Sequence, residues 1–399
     1  MDHRERRVRA RSGRPVSRGL LTLRSFEAAV VGAGIVGCAT AWELARRGVS
    51  VCLLDRSAEL ATGTTGLGEG NVLCSDKEPG PELDLAMAGL AAYDEIEALL
   101  GPEAGIRRKG ALVVHADEAG WEAEAPRVAR MKDEGVNCEL VDGEEVRESE
   151  PELTGAILGA AWFPNDLQCA PRAIARGLAR LAELEGAEVV TGLVAKSIEV
   201  GGGRVRGVKA LGDGERVAAD RVVIAAGAWS APLADSAGLQ LPLEPRKGQL
   251  VRLERSPSFM RCKVIDGSYM AAVASPDEGL LVSSVIETTL DGHVLVGSSR
   301  ERRGFDLTVD PGVSAALVER AARLAPRLRE LKVAGAWAGL RPWLPGGLPA
   351  IGPTSAAEGL WIATGHEGSG VAHGPVSGRL VAQGICGEPT DLDLGPFDP

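Results

Sequence analysis

The chain has 399 residues, 45% hydrophobic and 25% charged, with 52 glycines and only 4% aromatics, an ordinary folded-protein profile long enough for two domains. Its 55 acidic residues outnumber 44 lysines and arginines, and the formal charge of -11 repels a phosphate backbone, which excludes nucleic acid as a partner. The uncharged apolar stretch Ala28 to Trp42 is too short and glycine-rich for a bilayer span of about 20 apolar residues, so no membrane span is expected. Seven cysteines, odd in number and without a C-x-x-C, fit reduced thiols in a cytoplasmic protein and no metal site.

Met1 to Arg24 carries eight arginines against Asp2 and Glu5 and reads as a basic disordered tail, taken to residue 25. Arg6-Arg7 is followed by no apolar run that would make it an export signal, and a misassigned start is the plain alternative. Fold signals begin at Phe26. A short apolar strand runs into Gly32-Ala-Gly34-Ile35-Val36-Gly37, a helix follows from about Ile35 to Arg47, and a second strand, Val49 to Leu54, ends at Asp55 and Arg56. In such a βαβ unit the first glycine makes the turn, the second admits a pyrophosphate, and the third lets helix and sheet pack closely. The acid accepts hydrogen bonds from a ribose.

Thr62 to Asn71 is a glycine and hydroxyl loop whose backbone N–H groups and Thr64 and Thr65 hydroxyls suit a cofactor lined along its length; a surface loop is the competing reading. Arg172 to Glu185 has a helical apolar stripe, Ala187 to Val190 reads as a strand, Lys196 to Ala210 as a hairpin turning at Gly201 to Gly203, and Arg221 to Ala226 as a buried strand. The runs Gln249 to Leu253, Leu280 to Ile286 and His293 to Gly297 alternate as in an antiparallel sheet with one buried face, and Pro311 to Leu324 closes them as a helix. Gly365 to Gly370 opens a last helix, Val371 to Cys386.

GAGIVG (32–37), TGTTGLGEGN (62–71), PRAIARGLARLAELEGAEV (171–189), RVVIAAGAWS (221–230), GLRPWLPGGLPAIGP (339–353) and GLWIATGHEGSGVAHGPVSGRLVAQ (359–383) together resemble the D-amino acid oxidase, glycine oxidase and sarcosine oxidase superfamily of FAD enzymes. GEGNVLCSDKEPGPELDLA and GHEGSG look more like the beta-type subunits of D-hydroxyproline dehydrogenase, opine oxidase and hydrogen cyanide synthase than like monomeric sarcosine oxidase. The resemblance implies an α/β fold, a Rossmann-like FAD-binding domain (26–81, 152–240, 335–399) with a second domain built on an antiparallel sheet (82–151, 241–334); a continuous two-domain cut competes. It places non-covalent FAD against the motif residues above, Gly70, Asn71, Val194, Ala226, Gly227, Trp229, Gly339, Gly368, Ser369, Gly370 and Val371. No cysteine follows the Gly-Leu-Arg-Pro motif and no histidine stands near Pro171, the places where relatives attach flavin covalently.

The implied chemistry is hydride transfer from the α-carbon of a neutral amine to flavin N5. A guanidinium is the fork a substrate carboxylate needs, which singles out Arg341, and the family's carboxylate-binding arginine falls there. The N-terminus of the last helix can stabilise charge developing at flavin N1. His366 and Glu367 are further catalytic candidates, His366 as a pocket wall more than a base. The arginine that glycine oxidases carry near Gly368 is missing. The oxygen-activating lysine of some relatives falls at Leu295, which leans toward a dehydrogenase. A small amino or imino acid is the expected substrate, with a partner subunit or another electron acceptor. An FAD-binding subunit that only passes electrons, and a nicotinamide-dependent dehydrogenase, are the alternatives.

Overall fold

A computed structural model describes residues 25–211, 215–269 and 279–399, so the basic segment before Ser25 lies outside the described residues. The strand Ser25–Val31 sits at the centre of an eight-stranded sheet, pairing in parallel with Val51–Leu54 on one side and Arg216–Ile224 on the other. Glu188–Val190 extends one edge in parallel, and Leu360–Thr364 the other. These central strands are near-continuous apolar runs because both faces are covered: Ala28, Ala29, Val30, Leu53, Val222 and Val223 have no exposure.

The helix Ile35–Ala45 returns the chain between the first two strands and is buried at every position except Val36. It packs against Pro171–Leu184, whose Ile174 and Leu178 bury completely at roughly 1.5–3 kcal/mol each. It also packs against Gly370–Cys386, where Gly378 permits the close approach: a Cβ there would stand 2.6 Å from the Thr40 nitrogen. These packed elements hold Gly32 and Gly34 at the C-terminal end of the central strand.

The second sheet runs in the order Val333–Trp343, Glu244–Arg255, His293–Arg302, Leu281–Thr288, Lys263–Asp266, Ala111–His115, Gly159–Phe163, Glu139–Asp142. Its pairs are antiparallel except Lys263–Asp266 with Ala111–His115. One face packs on the helix Pro311–Ala321, and Val251, Val296 and Leu317 are fully buried in that core. The expected domain limits differ from these pairings. Gly159–Phe163 and Val333–Trp343 pair within the second sheet, whereas the helix Pro81–Leu100 sends Leu85, Tyr93 and Ile96 into the first domain's core. No helix among the described residues is long and apolar enough to cross a membrane.

Candidate active site

A cavity of about 400 Å³ runs from the first glycine motif to the face of the second sheet, a size typical of small-molecule sites. Every singled-out residue except Gly37 lies on its wall. Gly37 acts in packing instead, since a Cβ there would stand 1.8 Å from the Gly32 carbonyl oxygen.

At one end Gly32 has φ +107°, and any side chain there would strike the Ala225 carbonyl at 2.5 Å. A Cβ on Gly34 meets only the Thr65 hydroxyl, at 3.1 Å, so its other side is open to the groove. The Asp55 carboxylate accepts from the Ala33 N–H at 2.7 Å and the Ser57 N–H at 2.8 Å, which fixes it while leaving lone pairs for a ribose. Arg56 stacks on Trp229, 3.7 Å from the ring centroid, beside Val194, Ala226 and Gly227.

The Thr62 to Asn71 segment is held on both sides. The Thr65 hydroxyl accepts from the Ile35 N–H at 3.1 Å, and the Thr64 hydroxyl donates to the Leu340 carbonyl at 2.6 Å. Trp337 Nε1 donates to the Leu67 carbonyl at 2.9 Å, so the loop joins the dinucleotide end to the strand bearing Gly339 and Arg341. This groove, with open backbone at Gly34, an anchored acid and the free start of a helix, fits the FAD that the resemblance implies.

At the far end Leu250, Ile265 and Val285 supply an apolar roof. Arg341 lies over Gly248 and donates from Nη1 to the Ser299 carbonyl at 3.0 Å. Across the cavity, the Glu367 Oε1 atom lies 3.7 Å from Arg246 Nη1, 3.7 Å from Arg300 Nε and 3.9 Å from Arg341 Nε. Burial alone would raise the Glu367 pKa, but the Arg300, Arg341 and Arg246 guanidiniums hold it below the usual carboxylate range. Glu367 has φ +45°, rare for a residue with a side chain, and its N–H donates to the Pro342 carbonyl at 2.9 Å.

His366 is buried, which lowers its pKa to about 4. Its Nε2 lies 2.9 Å from the Ser377 hydroxyl, whose proton is donated to the His373 carbonyl at 2.8 Å, so His366 carries its proton on Nε2. The imidazole, neutral at neutral pH, lines the cavity. Gly368, Ser369, Gly370 and Val371 open the helix Gly370–Cys386 onto the cavity. Ser369 is tied to Lys77, whose ammonium donates to its hydroxyl at 2.6 Å and pairs with Asp76 at 2.9 Å and Glu82 at 3.2 Å.

Sequence reading missed Lys77, Lys263 and Tyr269 on the wall and Arg246 behind it. Lys263 bears on the electron acceptor. Leu295 is off the wall, but Glu287, opposite it across the ladder, lies 3.6 Å from the Lys263 ammonium, which also contacts Glu69. A cation thus reaches the cavity from another strand, paired with Glu69 and Glu287. A lysine inside the apolar run Cys262-Lys263-Val264-Ile265 was the available signal.

The family of FAD-dependent oxidoreductases designated DAO matches residues 27–384. Among curated proteins, the chain is 32% identical to a glycine oxidase of Pseudomonas aeruginosa, covering 93% of this chain and 97% of that one. It is 28% identical to hydrogen cyanide synthase subunit HcnC of the same species, covering 94% and 95%. Among solved structures, iminodiacetate oxidase from Chelativorans sp. BNC1 superposes with a TM-score of 0.80 at 27% identity, covering 93% of this chain and 98% of that one. The glycine motif, the anchored Asp55, the two-sheet architecture and these matches agree: the chain belongs to the DAO family and is an FAD-dependent oxidoreductase.

Proposed function

We propose that the enzyme oxidises the carbon–nitrogen bond of a small amino or imino acid. The observation that carries this reading is Arg341: a guanidinium on the wall of the dinucleotide cavity, under an apolar roof and facing the start of the helix Gly370–Cys386. Bound FAD supplies the acceptor for a hydride from the substrate's α-carbon. The relatives named glycine oxidase and iminodiacetate oxidase support an amino or imino acid substrate.

The chain's own residues position and polarise. Arg341 takes the substrate carboxylate as a two-pronged donor and fixes the α-carbon in the cavity. Leu250, Ile265 and Val285 exclude water from the roof. The helix N-terminus, with Lys77 held charged behind Ser369 by Asp76 and Glu82 against the opposing effect of burial, stabilises negative charge that accumulates on reduction. Neither His366, which burial keeps neutral, nor Glu367, which its arginines stabilise as the anion, is a base suited to neutral pH. The amine therefore enters the reaction already deprotonated.

The FAD-loaded protein is to be mixed anaerobically with glycine, D-amino acids, N-methylglycine, proline derivatives and opines. Bleaching of the flavin by at least one supports the proposal; bleaching by none makes the chain an electron-passing subunit. The likeness to a protein named as a subunit supports testing a partner chain as electron acceptor.

A further inference from the structure

Strand pairing brings four arginines of the second sheet together. Arg246 is opposite both Arg341 and Arg302, and Arg300 lies two residues from Arg302 on the same face. Arg300 is the most enclosed, with its side chain 1% exposed. Its Nη1 makes one long bond, to the Ser283 hydroxyl at 3.4 Å, the Tyr269 side chain interacts with the guanidinium, and Nε and Nη2 are buried with no hydrogen bond of ordinary length among the described residues. Those two nitrogens form the side-on edge of a guanidinium, which matches the two oxygens of a carboxylate. An unfilled buried edge of this kind is costly, and a ligand carboxylate would satisfy both donors at once.

The neighbouring anion does not fill it. Glu367 Oε1 is 3.7 Å from Arg300 Nε, close enough for charge attraction and too far for a hydrogen bond, and that oxygen has no hydrogen-bond partner. Glu367 is anchored through its backbone, and its other oxygen accepts from the adjacent Gly368 N–H, so its carboxylate can turn without breaking a bond to any arginine. Glu367 and Tyr269 are both on the cavity wall, and the Tyr269 ring lies 4.5 Å from Arg300 Cζ. Arg300 thus stands directly behind the wall at the place where Arg341, 3.9 Å from the same Glu367 oxygen, enters it. A short ligand reaches both guanidiniums once Glu367 moves.

We infer that Arg300 is a second carboxylate clamp and that the substrate class is an amine flanked by two carboxylates, one held by Arg341 and the other by Arg300. Glu367 holds the position in the empty site and gives way to the second carboxylate. One ligand carboxylate takes the place of the Glu367 carboxylate beside Arg300, and the other pairs with Arg341. This inference rests on the proposed amine oxidation and narrows its substrate.

Binding without turnover tests it. Glutarate is iminodiacetate with a methylene in place of the amine, and butyrate lacks one of its carboxylates. Titration of FAD-loaded protein with each, read by perturbation of the flavin absorbance, should give a Kd for glutarate about 30-fold or more below that for butyrate, the scale of one buried charged clamp. Arg300→Met should bring glutarate to the butyrate level and leave butyrate unchanged. Equal affinities in the wild-type protein overturn the inference whether or not the variant folds, as does a glutarate preference that survives in a folded Arg300→Met protein. Turnover separates the two proposals. If N-methylglycine is oxidised as efficiently as iminodiacetate, the second clamp is wrong and amine oxidation stands. If no amino or imino acid reduces the flavin, amine oxidation is wrong, whatever the titration gives.

Discussion

Arg341 can be disabled without being mutated. A Cβ on Gly248 would stand 2.1 Å from Arg341 Nη1 and 2.6 Å from Cζ, so Gly248→Ala must push the guanidinium aside while keeping its charge. The displaced fork loses its bond to the Ser299 carbonyl and its aim at the substrate carboxylate, leaving a cation without two-pronged geometry. Outright removal of one partner from a buried charge pair costs ~2 to 5 kcal/mol. Arg341 is 14% exposed and Arg246 and Arg300 remain nearby, so Arg341→Met should lie in the lower part of that range. Roughly 2 to 3 kcal/mol corresponds to about a 30- to 150-fold loss in kcat/KM. Gly248→Ala should lose less, about tenfold, because long-range attraction survives. The assay is anaerobic flavin reduction in the wild-type protein and both variants, with an amino acid and with the matching amine lacking the carboxylate. The loss should fall on the amino acid alone, at unchanged FAD content. Equal losses for both substrates would refute the clamp.

Gly34→Val should fold, since a Cβ at that position meets only Thr65, but its side chain grows into the groove and FAD content after purification should fall at least tenfold; full occupancy would put the dinucleotide elsewhere. Wild-type FAD should be released by acid precipitation, whereas flavin that stays with the pellet would show a covalent bond. The pH profile of kcat/KM should rise with deprotonation of the substrate amine and show no His366 step between pH 5 and 8, a shape that His366→Gln should leave unchanged. His366 is held neutral, its folded pKa lying below the usual 6.5, so its contribution to stability is present above pH 6.5 and is lost as pH falls toward 4; thermal melts of wild type and His366→Gln should converge or cross over that interval. Lys263→Met should slow reoxidation of the reduced flavin by oxygen about tenfold and leave reduction unaffected, the effect being limited by the pairing of Lys263 with Glu69 and Glu287; an unchanged oxygen rate would make the lysine structural.

The dinucleotide end was legible because its signals are local. Gly32, Gly34 and Asp55 belong to one strand-helix-strand unit, and each answers a backbone requirement visible within a few residues. Arg341 was legible through its motif. The arginine cluster was not, because Arg246, Arg300 and Arg341 are brought together by strand register, and alternation tells which face a residue takes without telling what lies on the next strand. The helix Pro81–Leu100 shows the same limit: its segment was expected in the second domain, yet Tyr93 and Ile96 pack into the first domain's core. Lys263 escaped because a single cation in an apolar run gives no indication of the Glu69 and Glu287 that make its burial tolerable.

The most direct test of the central claim follows hydrogen from the substrate's α-carbon. FAD-loaded protein should be mixed anaerobically in a stopped-flow instrument with a substrate found to bleach it, unlabelled and deuterated at the α-carbon. Transfer of that hydrogen as hydride predicts flavin reduction slowed several-fold by deuterium, with nitrogen later released from the same carbon. Reduction at equal rates, with the label retained in the product, would contradict oxidation of the carbon–nitrogen bond at this site.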